Sequence, residues 1–153
     1  MRLCWILTAL LGLALAATLY LFVVRGAVAP ASDGRTAILL EPGERDLVLA
    51  EMRAFLRASQ GVLVSATSGD LPAAADAARQ VGVAAQAEVP ASLLGKLPLG
   101  FKTLGFDTHG RFDRLALDAQ DLGDPAQTLK ALGELMSNCV ACHAAFRIDA
   151  SPP

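Results

Sequence analysis

The sequence predicts an all-α protein, a four-helix bundle carried behind an N-terminal transmembrane helix. Three observations predict it. Residues Leu3 to Val24 run for 22 positions without a charge. Beyond them, apolar residues recur at three- and four-residue steps in several separate stretches, and no stretch reads as a strand. Ala is abundant and aromatic residues make up only 5% of the chain, a balance that favours helices over strands. The 153 residues suffice for one domain. Of the 13 basic residues only Arg2 and Arg25 precede Ala31, and none of the 15 acidic ones does, so the remainder is mildly acidic. Such a balance gives no sign of a nucleic-acid surface.

The first element is Leu3–Val24. As a helix it spans a bilayer core of about 30 Å. Trp5 and Tyr20 lie near its two ends, where amphipathic rings prefer the interface, and Arg2 supplies charge on the cytoplasmic side. The rival reading is a cleaved signal peptide, because Ala27-Val28-Ala29 has the small-x-small form of a cleavage site. Pro30 would follow that cut, and the apolar run exceeds the usual length of such signals, so an uncleaved anchor is favoured. Either way residues 1–26 direct export of the rest of the chain. Cys4 reads as an apolar membrane residue.

Residues 27–43 hold Pro30, Ser32, Asp33, Gly34, Pro42 and Gly43 and read as a linker. Ile38-Leu39-Leu40 interrupts it and is expected to dock on the domain, which is assigned to 44–150. Its first helix runs from Glu44 to about Thr67, with Val48, Met52, Phe55, Ser59, Val62 and Ala66 on one stripe and Leu49, Leu56 and Leu63 beside it. Asp70 caps the second, with Pro72 in its first turn. That helix, to about Ala87, is Ala-rich, which suits close packing in a bundle or a face between two copies. Val89–Gly110 is apolar but broken by Pro90, Gly95, Pro98, Gly100 and Gly105, and is expected as a loop covering something. Thr108 is expected to cap a third helix running to about Leu122. Asp124 caps the last, with Pro125 at its first position, and Leu129, Leu132, Leu135, Met136, Cys139, Val140, His143 and Phe146 inward. Four helices with short links and one longer apolar connection make a bundle.

The last helix carries Cys139-Val140-Ala141-Cys142-His143, the C-x-x-C-H pattern of c-type haem attachment. On a helix, steps of three and four put both thiols and the imidazole on one face. Two thiols there can form thioethers to the vinyl groups of a porphyrin, and the imidazole can coordinate its iron. A redox disulfide is the first competing reading, but it needs a thioredoxin-like βαβ context. A zinc site is the second, but it needs further ligands, and only Cys4 and His109 remain. Chance is the third, because the pattern is short. The export segment favours haem, since c-type attachment is periplasmic in bacteria.

With that motif ending a four-helix bundle, the chain resembles the cytochrome c′ family, including its low-spin relatives. The resemblance covers roughly Glu44 to Ala150. It is most specific where His143-Ala144-Ala145 is followed by Phe146-Arg147, and it extends to Met52 with Leu56 and to Gly69-Asp70. It implies an antiparallel bundle with one covalent haem c on Cys139 and Cys142, His143 as proximal ligand, and a first-helix residue facing the distal side. In low-spin members that residue is a Met, here Met52, whose thioether raises the reduction potential. The alternative for Met52 is a core residue beside an open iron, with Leu49, Phe55 or Leu56 as steric occupant. The anchor is not typical of the soluble members, and the Phe101–Phe112 stretch does not align securely.

The expected function is therefore a membrane-anchored, periplasmic monohaem cytochrome passing electrons between partner proteins, with no catalytic set of its own. The alternative is a five-coordinate protein that binds or senses nitric oxide or carbon monoxide. A homodimer is permitted by the Ala-rich helix and common in the resembled family. Met136 is expected in the core. His109 is read as a surface or capping residue near a helix start, with distal ligation or a propionate contact set against that. Arg147 is read either as tuning the proximal site or as a solvated charge favourable to the helix dipole. Arg53 and Arg57 are further propionate candidates, with solvated surface positions as the ordinary reading.

Overall fold

A computed structural model describes residues 2–151. The chain is mostly helical, with six helices and a small three-stranded sheet among the described residues. Helix α1, Arg2–Leu19, continues through a wider π-helical turn at Tyr20–Arg25. Within it Cys4–Arg25 is long and apolar enough to cross a membrane or serve as a signal sequence, and none of its residues is buried. Its two threonine hydroxyls are satisfied internally, Thr8 donating to the Cys4 carbonyl and Thr18 to the Ala14 carbonyl, both at 2.9 Å. Such pairing is what an apolar surrounding demands.

The expected linker is built into the domain instead. Val28–Pro30 (β1) and Thr36–Leu40 (β2) form an antiparallel pair, and β2 pairs in parallel with Phe146–Ala150 (β3), with Thr36 opposite Phe146 and Leu40 opposite Ala150. This corrects the last helix as well. It ends at Ala145, and Phe146 onward continues as strand because the Phe-Arg-Ile-Asp backbone pairs with β2. Ile38 and Leu40, completely buried, anchor that sheet.

Helix α2, Pro42–Ser68, starts where the Glu44 carboxylate accepts the Glu41 N–H at 3.0 Å. It stops at Gly69, whose φ of +80° is the left-handed conformation that closes a helix at little cost only for glycine. Asp70 caps α3, Leu71–Arg79, by accepting the Ala73 N–H at 3.1 Å. This helix is shorter than expected. A Cβ at Gly82 would overlap the Asp113 carboxylate, which accepts the Val83 N–H at 2.9 Å and starts a 3₁₀ segment over Val83–Glu88. After the short α4, Ala91–Lys96, helix α5 runs over Leu99–Leu122, nine residues earlier than the expected start at Thr108. Burial of Phe101 outweighs the propensity cost of Gly100 and Gly105. Asp124 caps α6, Pro125–Ala145, accepting from the Ala126 and Gln127 N–H groups at 2.8 and 3.2 Å.

Two apolar cores result. In the larger, α2 lies against α3 and α6, and α5 lies against the same two, so four helices close a ring. Phe112, fully buried, stacks on Phe55 with centroids 5.6 Å apart, among Val62, Ala74, Ala78, Leu115, Leu132 and Leu135. The Ala-rich face of α3 is thus used inside the chain, where Gly61 lets α2 approach Ala77 closely. The smaller core holds Ile38, Leu40, Val48, Leu93, Leu97 and Phe101 beneath the sheet. Because Phe112 fills the centre of the larger core, Phe112→Ala is expected to lower unfolding stability by about 3–5 kcal/mol. Urea denaturation, read as a lower midpoint at unchanged slope, checks this.

Candidate functional site

The three residues of the C-x-x-C-H motif sit on the last two turns of α6. Their presentation depends on how α6 is rotated, and a buried polar contact holds that rotation. Asn138, next to Cys139, donates through Nδ2 to Asp107 Oδ2 at 2.8 Å and to Thr108 Oγ1 at 3.3 Å on α5. The Asn138 amide, with help from Arg111, holds the Asp107 carboxyl below the usual carboxylate range. Asn138 was not among the residues expected from the sequence. Its signal was an amide directly beside the motif, at a position where an apolar residue would be ordinary.

Cys139 and Cys142 are free thiols, both half-buried, and His143 is exposed. Burial pushes both thiols up, Cys142 to about 11 with a smaller push from Cys139. They are therefore protonated at neutral pH, the opposite of the low-pKa thiolate that redox and metal-binding cysteines use. Among the described residues no group of three or more His, Cys, Asp or Glu side chains converges as a metal cluster.

Cys142 and His143 line a cavity of about 190 Å³ whose other walls are Leu49 and Met52 from α2, Phe101 from α5, and Phe146 and Ile148 from β3. Met52 thus shares one apolar crevice with the motif, although 90 residues separate it from Cys142 in sequence, and it packs on both cores. Phe101 and Phe146 meet edge to face at 5.8 Å and close one side. Leu56, offered as an alternative occupant, is exposed, and Phe55 belongs to the larger core. Met136 is exposed rather than core.

Three arginines rim the crevice: Arg35, Arg45 and Arg147. Arg35 and Arg147 share Asp33, at 2.7 and 3.3 Å, and Arg147 also pairs with Asp149 at 2.9 Å. The Arg35 side chain and backbone N–H hold the Asp33 carboxyl down at about 2. Arg35 also donates to the His143 and Phe146 carbonyls at 3.3 and 3.4 Å, satisfying free C=O groups at the end of α6 with a cation that its dipole favours. Arg53 and Arg57 are exposed and do not line the crevice. Arg35 and Arg45 were missed in the sequence, since the fold of β2 against β3 brings Arg35 to the motif across more than 100 residues.

His109 is neither near a helix start nor at the surface. It lies mid-way along α5, only 3% exposed, and tilts against Phe55 at 4.7 Å. Both ring nitrogens are engaged, Nδ1 with the Val81 carbonyl at 2.8 Å and Nε2 with Glu51 Oε1 at 3.1 Å. It faces a second cavity rather than the crevice. Burial is the largest influence on its charge and opposes it, but Glu51 together with the Val81 and Gly82 backbone outweighs burial, so its pKa stands above 6.5. A raised cation pKa gives stability that is complete below the unfolded value and lost as pH rises through the folded one. Unfolding stability is therefore expected to decline as pH rises above about 6.5, more steeply in the wild type than in His109→Gln. Urea titrations across that range check the difference in slope.

No family model, curated protein or solved structure matches this chain.

Proposed function

We propose that the chain is a membrane-anchored, periplasmic monohaem c-type cytochrome that carries single electrons between partner proteins, on a four-helix bundle resembling cytochrome c′. One observation carries the reading: Met52 lines the same apolar crevice as Cys142 and His143. An imidazole and a thioether on one cleft are the two side chains that would hold the iron of an electron-transfer haem. The closed ring of α2, α3, α5 and α6 supports the bundle assignment, to which the β2–β3 pairing is an addition.

The residues present fit the group. Cys139 and Cys142 are free thiols, each able to add its S–H across a vinyl group to form a thioether, and they share one helix face with His143. Leu49, Phe101, Phe146 and Ile148 offer apolar walls for a porphyrin face. Arg35, Arg45 and Arg147 offer cations for its two propionates. Bound, haem would supply a one-electron iron couple. The apolar walls would limit the water that reaches it, and the Met52 thioether would favour the ferrous form. The uncleaved anchor is supported by β1, because cutting after Ala29 would remove Val28 and Ala29 from their pairing with Ile38 and Ala37.

Leu49 favours a second reading, since it lines the crevice beside Met52 and would leave iron open to nitric oxide or carbon monoxide if Met52 turned away. Expression of the full chain with a c-type maturation system tests both. One covalent haem by intact mass and a sharp low-spin reduced spectrum are expected. A high-spin spectrum that shifts on adding carbon monoxide supports the second reading, and an exported chain without haem mass overturns both.

A further inference from the structure

The exit of the membrane helix is not a loose tether. The Ala27 N–H donates to the Lys96 carbonyl at 2.7 Å, directly after the span. Lys102 Nζ donates to the Val23 carbonyl at 2.8 Å, inside the last turn of the span, and to the Leu94 carbonyl at 3.3 Å. The Phe22 ring lies against Gly95. Between span and domain stands Gly26, with φ +68° and no room for a Cβ, which would overlap the Lys96 carbonyl and the Leu97–Pro98 peptide. Two residues later β1 is already paired. No slack separates the helix from the domain.

A helix of 22 residues is about as long as the hydrocarbon core is thick, so its end lies at headgroup level. Whatever is bonded to residues 22–27 lies there too. We infer that the corner formed by α4 and the first turn of α5, Leu94–Lys102, rests on the bilayer, held by Gly26 and Lys102 as a rigid bracket. Leu99 and Gly100 are exposed on that corner, and Leu94 is half-exposed. Arg25 is exposed beside them, where a cation suits anionic headgroups. The occupant of this apolar corner is the lipid surface, because the span leaves the domain at that place. Phe101, two positions after Leu99 and on the opposite, buried face of α5, walls the crevice, so the bracket also fixes the crevice's orientation relative to the membrane. The inference rests on the reading of Cys4–Arg25 as a membrane span.

The test places a photoreactive benzoylphenylalanine at Leu99 or, as a control, at Leu117, which is exposed on the distant part of α5. The full chain is reconstituted in vesicles of phosphatidylcholine and phosphatidylglycerol, and irradiated. A phospholipid adduct by mass is expected at 99 and none at 117. Gly26→Val, and separately Lys102→Met, are expected to abolish the adduct at 99 while the chain still resists extraction by alkaline carbonate. A carbonate-resistant wild type with no adduct at 99, or with equal adducts at both positions, overturns the bracket and leaves the anchor standing. An adduct at 99 that persists in both variants does the same. Extraction of the wild type by carbonate overturns the anchor and the bracket together.

Discussion

Replacing both thiols, Cys139→Ala with Cys142→Ala, is expected to abolish covalent haem completely, so that the exported chain shows the polypeptide mass alone. Each single variant is expected to keep at most one thioether. The loss would be chemical rather than a failure to fold. Both thiols are half-buried on α6, and Ala is the stronger helix former. The Asn138 contact that sets the rotation of α6 remains in place. Far-ultraviolet circular dichroism of the variant should therefore match the parent's helicity. His143→Ala separates the roles further, because it should retain the haem mass while changing the spectrum of the iron. A chain that carries covalent haem without either thiol would contradict the proposed attachment.

Met52→Ala is expected to convert a low-spin iron into a high-spin one that binds carbon monoxide, and to lower the reduction potential, since axial ligands set potentials over a range of about 0.8 V. Truncating a buried Met also costs about 2–5 kcal/mol, and half-buried Met52 belongs at the lower end of that range. Met52→Leu separates ligation from packing. It conserves volume, so stability should change by less than about 1.5 kcal/mol, yet the thioether is gone and the spectral change should equal that of Met52→Ala. If Met52→Leu keeps the parent spectrum, the thioether is not a ligand and the gas-binding reading gains.

Much of the chain was legible because its signals are local. Asp70, Asp124 and Pro125 mark helix starts through contacts within three residues, and Gly69 marks a stop through its own backbone. The apolar N-terminal helix is legible from its length and lack of charge. The start of α5 was not legible, because Gly100, Gly105 and Gly110 oppose a helix locally while burial of Phe101, Thr108 and Phe112 imposes one. His109 was misplaced for the same reason, as its partners Val81 and Glu51 lie 28 and 58 residues away.

By itself the sequence determined that Cys139, Cys142 and His143 share one helix face, since spacing along one helix is a property of consecutive residues. It also determined the apolar N-terminal helix, since length and the absence of charge suffice for that. Only the tertiary structure decided which side chains share the crevice. Met52, Phe101 and Arg35 reach Cys142 and His143 through helix packing and a parallel strand pair, contacts between residues far apart in the chain. Likewise only the tertiary structure decided that residues 27–43 are part of the domain. Backbone hydrogen bonds from β2 to a strand more than 100 residues later satisfy groups that would otherwise face water.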